Sequence, residues 1–123
     1  GYEELYVLNT DQYAGATSTS DKLYDRDGPD EYVELFSLPI NLNSANYVAG
    51  RSCACVDRMS NGTYGIMVAN YGGPMKLFVA GEARRVRDVA AEAGIALTTG
   101  GRALVSGPVA SMYMDIFANN EDG

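Results

Sequence analysis

The sequence contains no histidine, no tryptophan, only two cysteines and four prolines among its 123 residues. Each shortage removes a chemistry. Without His, nucleophilic catalysis of the Ser/His or Cys/His kind is excluded unless a Lys or a carboxylate serves as base. Without Trp, a sugar cleft loses its usual aromatic floor. Cys53 and Cys55 form a lone Cys-x-Cys, short of the four ligands that structural zinc requires. On a strand they share a face at a spacing where a mutual bridge strains the backbone. Two reduced, packed thiols are therefore expected, with no demand for an oxidising compartment.

Basic charge is also scarce. Nine Lys and Arg face sixteen Asp and Glu, a net charge of −7. Nucleic-acid binding needs clustered cations to displace counterions, so the balance argues against it. Arg84, Arg85 and Arg87 are the one basic knot, and Glu82 and Asp88 flank it. Long apolar runs are missing too. The uncharged stretches 35–50 and 59–75 are broken by Asn, Ser, Gly and Pro, so neither reads as a membrane span. The opening Gly-Tyr-Glu-Glu carries no basic or apolar leader, which fits cytosolic synthesis and a trimmed leader equally. No Walker loop, G-x-S-x-G elbow or dinucleotide fingerprint occurs. We expect a non-enzymatic protein with no cofactor.

What the chain does have is glycine punctuation. "AGIALTTGGRALVSGP" (93–108) breaks short apolar runs with Gly-Gly and Gly-Pro. Turn signals every 8 to 12 residues mark an all-β sandwich or barrel. The clearest element is a hairpin: "RSCACVDRM", the turn "SNG", and "TYGIMVANY". "ELYVL", "EYVELFSL", "MKLFVAG", "IALTT", "RALVS" and "VASMYMDIF" read as further strands, with Gly100-Gly101 as a turn and the last residues fraying. Ala- and Glu-rich 88–93 predicts a helical turn or at most one short helix. The polar stretch "NTDQYAGATSTSDKLYDRDGPD" reads as a long loop. The expected layout is an N-terminal strand and extended arm over 1–30, then a small Gly-cornered β-barrel or sandwich over 31–123.

Two groups of residues suggest sites. With Gly28 as the turning glycine of a calcium loop, Asp25, Asp27, Glu31 and Glu34 fall on ligand positions. Leu23 at the first position and Pro29 after the glycine speak against it, and a solvated Asp-Gly turn is favoured. Asn61-Gly62-Thr63 matches the glycosylation sequon, but hairpin-turn chemistry already explains it. Tyr2, Leu5, Tyr6 and Tyr13 lie near the start of the chain. Tyrosine is favoured at interfaces, so these four are the candidate contact residues.

Gly73-Pro74, "LFVAGEA", "AAEAG" and "GIALTTGGRALV" together resemble the head-decoration (capsid cement) proteins of tailed bacteriophages. That resemblance implies a homotrimer on the capsid exterior, binding the major capsid protein and stabilising the shell, in a virion made in the host cytoplasm. The alternative is a secreted binding module or filament subunit that assembles by donating "ELYVL" to a neighbour's sheet edge. A small carboxylate-pair hydrolase is a third possibility, which requires two acids facing one cleft.

Overall fold

A computed structural model of the chain describes residues 4–110 and 112–121. It is all-β, with two sheets and no closed barrel. Among the described residues nine strands follow in order: β1 (Leu5–Val7), β2 (Lys22–Arg26), β3 (Tyr32–Glu34), β4 (Gly50–Val56), β5 (Gly65–Pro74), β6 (Lys76–Ala80), β7 (Val86–Asp88), β8 (Thr98–Gly107) and β9 (Asp115–Asn120). The first three form an antiparallel sheet in chain order. The larger sheet runs β7-β6-β5-β8-β9, with β4 paired to the other part of β5. Among the described residues no helix is long and apolar enough to cross a membrane.

β5 organises both cores. Its run Ile66-Met67-Val68-Ala69 is apolar at every position because both faces are covered. Met67 and Ala69 join Val56, Leu77, Val89 and Leu104 on one side. Ile66 and Val68 join Phe78, Val86, Leu23, Leu35 and Phe36 on the other. Neighbouring Leu77 and Phe78 of β6 likewise enter opposite cores. Each such side chain, buried whole, contributes roughly 1.5–3 kcal/mol. Tyr6, Phe36 and Phe78 stack in the second core, with Phe36 and Phe78 centroids 5.2 Å apart.

Several expectations change in detail. The stretch predicted to turn at Gly100-Gly101 is one ten-residue strand, β8. Gly101 is needed for close approach instead: a Cβ there would meet the Asn70 carbonyl at 3.1 Å and Met75 Cε at 3.2 Å. The helical tendency over 88–93 shrinks to one turn, closed by Ala93 N–H on the Val89 carbonyl at 3.0 Å. Gly94 ends it at φ +73°, a conformation that costs glycine little. The last strand begins at Asp115 and takes in 118–120, which were expected to fray. The polar loop of the first thirty residues lies against the body. Gly15 N–H reaches the Tyr71 carbonyl at 2.8 Å, and Ala16 bridges Val48. The boundary expected between residues 30 and 31 falls inside the hairpin joining β2 to β3.

The two meanders repeat one design. In β2–β3, Glu34 Oε1 accepts from Leu23 N–H at 3.4 Å and Phe36 N–H at 3.0 Å. In β6–β7, Asp88 Oδ1 accepts from Leu77 N–H at 3.2 Å and Ala90 N–H at 3.0 Å. The acid follows its leucine by 11 residues both times. Further on, Asp21 N–H bonds the Asn46 carbonyl and Met75 N–H the Leu97 carbonyl, each at 3.1 Å. The strands "LYVLN", "IMVAN" and "IFANN" then occupy matching places. So β1–β3, β4–β7 and β8–β9 are successive, unequally complete versions of a four-stranded meander. Ser52 Oγ accepts from Leu104 N–H, and Ser106 Oγ donates to the Cys55 carbonyl, tying β4 to β8.

Candidate binding surface

The repeat places two Gly-Arg pairs, Gly50-Arg51 and Gly101-Arg102, at corresponding points of β4 and β8. Strand register slips between Gly50 and Ser52, and again between Gly101 and Leu104. Each arginine therefore sits at an irregularity, and such irregularities re-aim side chains. Both guanidiniums meet the same two rings. Arg51 Cζ lies 4.6 Å from the Tyr13 centroid and 5.6 Å from that of Tyr71. Arg102 Cζ lies 5.9 Å and 5.3 Å from them. The rings meet edge to face with centroids 5.4 Å apart. Cation–π attraction of this kind is worth about 0.5–1 kcal/mol per exposed pair.

Hydrogen bonds fix the cluster. Arg102 Nη2 donates to the Tyr13 hydroxyl at 2.6 Å, and Arg102 Nε donates to Glu121 Oε2 at 2.7 Å. Arg51 Nη2 donates to the Tyr13 carbonyl. The Arg102 bond, then that of Tyr71, holds the Glu121 carboxyl below the usual carboxylate range. Among the described residues, Arg51 Nε is buried with no hydrogen-bond partner. A guanidinium stays protonated at neutral pH, so the cluster is suited to anions and flat groups and not to proton transfer.

Beneath lies a buried polar network. Asp21, Asn46 and Asn70 are wholly buried. Asp21 Oδ2 accepts from the Tyr6 hydroxyl and from Asn46 Nδ2, both at 2.7 Å, and Oδ1 accepts from Asn9 N–H at 2.8 Å. Asn46 and Asn70 exchange amide hydrogen bonds at 3.0 Å, and Asn70 Nδ2 also reaches the Pro74 carbonyl. Burial first, and then Asp21, push the Tyr6 phenol far above its ordinary value. Satisfied networks of this sort rigidify what they carry. Here they brace the segments bearing Tyr13, Arg51 and Tyr71.

The four expected contact residues part company. Tyr13 is 63% exposed and belongs to the cluster. Leu5 is exposed on β1. Tyr6 packs against the second core, where its ring stacks on Phe78. Tyr2 lies outside the described residues. β1, which the alternative reading gave to a neighbour's sheet edge, pairs with β2 of its own sheet. The calcium candidates do not converge. Arg84 takes Asp25 at 3.0 Å and also Asp27. Glu34 serves backbone N–H groups, and Glu31 is exposed. Among the described residues no three acidic, Cys or His side chains are placed to share a metal ion. Cys53 and Cys55 were expected to be packed, yet both are exposed, although they stand opposite Val68 and Ile66 of β5. A cleft of about 290 Å³ separates the sheets, walled by Leu23, Ile66, Phe78 and Val86, with Tyr64 and Arg85 at its rim.

Arg51, Tyr71 and Arg102 were missed by sequence reasoning. The one signal for them was the Gly-Arg pair recurring ahead of two strands.

No family model matches the chain. It is 40% identical over 139 aligned positions to human cartilage acidic protein 1. The proteins of that name from Xenopus tropicalis and Mus musculus are each 39% identical to it. Every alignment covers 100% of this chain and 21% of the relative, so the chain spans about a fifth of their length. This likeness overturns the resemblance to phage decoration proteins. That resemblance rested on glycine turns, which any short-stranded β protein needs, whereas the vertebrate likeness runs through side chains over the whole chain. The capsid-cement role, the shell-bound trimer, the major capsid protein as partner and the virion location fall with it.

Proposed function

We propose that this chain is a non-enzymatic binding unit of an extracellular protein, built from stacked four-stranded meanders of the propeller type and working through the Tyr13–Tyr71–Arg51–Arg102 surface. The observation that carries the reading is that surface. Two arginines and two tyrosines from four separate segments meet on one outer face, in a chain whose net charge is −7. Tyr and Arg are the residues most enriched among binding hot spots. The repeated meander supports a propeller-type array, in which each blade contributes four antiparallel strands. The extracellular setting draws on the relatives' name, since cartilage is a tissue composed mostly of matrix outside cells. Of the earlier alternative, the binding module is kept. Strand donation is not, because β1 is used at home.

The test is retention on matrix. Labelled protein is applied to decellularised cartilage, with R51A/R102A as the comparison. Saturable retention that drops about tenfold or more in the double variant is expected, the size of one lost hot spot. Equal retention of the two proteins overturns the reading.

A further inference from the structure

We infer that the space between Arg51 and Arg102 is a seat for one carboxylate side chain of a partner protein, and that Glu121 is its internal placeholder. The inference rests on the surface being a binding site, and it names the chemistry of the partner.

Three observations point there. The first is the buried, partnerless Nε of Arg51. A desolvated donor is costly to leave unmade, and buried donors nearly always have acceptors. An acceptor delivered by a partner removes that cost. The Tyr13 ring lies over the same guanidinium, 4.6 Å from Cζ, on a residue that is itself 63% exposed. Moving the ring aside also breaks its hydroxyl's bond with Arg102 Nη2 and so frees a second donor.

The second observation is that the site already holds a carboxylate. Glu121 Oε2 sits 2.7 Å from Arg102 Nε, on a side chain 45% exposed. An acid on an exposed side chain is easily displaced by a better-placed one. A guanidinium fork grips a carboxylate through parallel N–H donors, and Arg51 and Arg102 bring two forks to the same pair of rings.

The third is the overall charge. With a net charge of −7 the molecule repels a long polyanion, and two guanidiniums are too few to offset that. A single Asp or Glu in an otherwise neutral or basic segment meets no such barrier. The flanking Tyr rings then give that segment an apolar, hydrogen-bonding surface to lie against.

The experiment follows the arginine Nε–H signals of the ¹⁵N-labelled chain by NMR during titration with N-acetyl-aspartate amide. N-acetyl-asparagine amide is the neutral control, and sodium sulfate is a second anion. Expected are a saturable downfield shift of the Arg51 Nε–H with the aspartate compound, none with the asparagine compound, and weaker binding of sulfate. E121Q should tighten binding by up to about fivefold, the upper end for a released surface ion pair. R102K, which keeps the charge and loses the fork, should weaken it while leaving the amide spectrum dispersed. Equal shifts from both amides, tighter binding of sulfate, or an E121Q affinity equal to wild type would each overturn the seat. Matrix retention that depends on Arg51 and Arg102, combined with a failed titration, would remove the carboxylate and leave the binding unit standing.

Discussion

The same niche occurs twice in this molecule and is filled in opposite ways. In the first meander it holds Asp21, below Gly50 and Leu8. In the second it holds Met75, below Gly101 and Ala69. The backbone does not change: residue 21 bonds the carbonyl of residue 46 at 3.1 Å, and residue 75 bonds that of residue 97 at 3.1 Å. Asp21 is 0% exposed and Met75 2%. The glycines and the backbone hydrogen bond therefore specify the architecture, and the niche accepts either a hydrogen-bonded acid or a thioether. The difference is in what each supports. The polar version ties Tyr6, Asn9, Asn46 and Asn70 together under the Tyr–Arg surface, whereas the apolar version only adds to a core.

Exchanging the niche residues is the sharpest way to break the comparison. Met75→Asp puts a carboxylate among Met67, Leu77 and Ala90. A buried charge without partners is among the costliest substitutions known, so a loss above about 4–5 kcal/mol is expected, enough to unfold a domain of ordinary stability. Circular dichroism of the purified variant checks it. A folded, cooperative M75D protein would mean that this niche too is wet.

The reverse exchange is milder. Asp21→Met strands the Tyr6 hydroxyl and the Asn9 N–H and takes one of three acceptors from the Asn46 amide, for a loss of about 3–4 kcal/mol by urea unfolding. Adding Tyr6→Phe and Asn46→Leu removes the stranded hydroxyl and makes the niche like its counterpart, but Asn9 N–H stays unmet and Asn70 loses the Asn46 amide, so only part of the loss should return. If the triple variant is no better than D21M, the two niches are not equivalent.

The repetition was not legible in the sequence, and the reason is physical. Leu23–Glu34 and Leu77–Asp88 keep one spacing, but the connections between meanders differ in length, and the niche residues differ in polarity. What was legible was local. The Asn61-Gly62 turn gives its hairpin because Gly62 takes φ +81° and Asp57 caps the loop through Asn61 and Gly62 N–H. Gly100-Gly101 misled because glycine serves sharp turns and close approach alike, and only the Asn70 carbonyl and Met75 beside it show which. Tyr13 could be singled out near the start of the chain. Arg51 and Arg102 had only the recurring Gly-Arg pair to mark them and Tyr71 had nothing, since no sequence pattern shows that positions so far apart meet at one ring pair.

A smaller effect tests the paired acids. Glu34 and Asp88 each gather two backbone N–H groups, but Asp88 also holds Lys76 at 3.0 Å. Replacing either by Ala leaves two donors unmet and should cost about 1–3 kcal/mol. Asp88→Ala should lie at the upper end, because Lys76 loses its partner as well. Equal costs in paired denaturation curves would show that the Lys76 bridge contributes nothing.

The smallest effect belongs to the exposed end of the Tyr–Arg surface, and its sign follows from the direction of the shift. Hydrogen bonds from Arg102 and then Tyr71 depress the folded-state titration of Glu121 below its ordinary 4.5. A depressed carboxyl binds its proton more readily unfolded than folded, so its stabilisation is complete above the unfolded value. It then fades as the pH falls through the folded one. Solvent screens a pair this exposed, so the contribution is slight. Melting temperatures of wild type and Glu121→Gln should therefore differ a little at pH 7 and converge as the pH drops below 4.5. A gap that persists unchanged into acid would mean that Glu121 stabilises through packing. In that case its charge would not be what occupies the arginines, and the carboxylate seat would lose its placeholder.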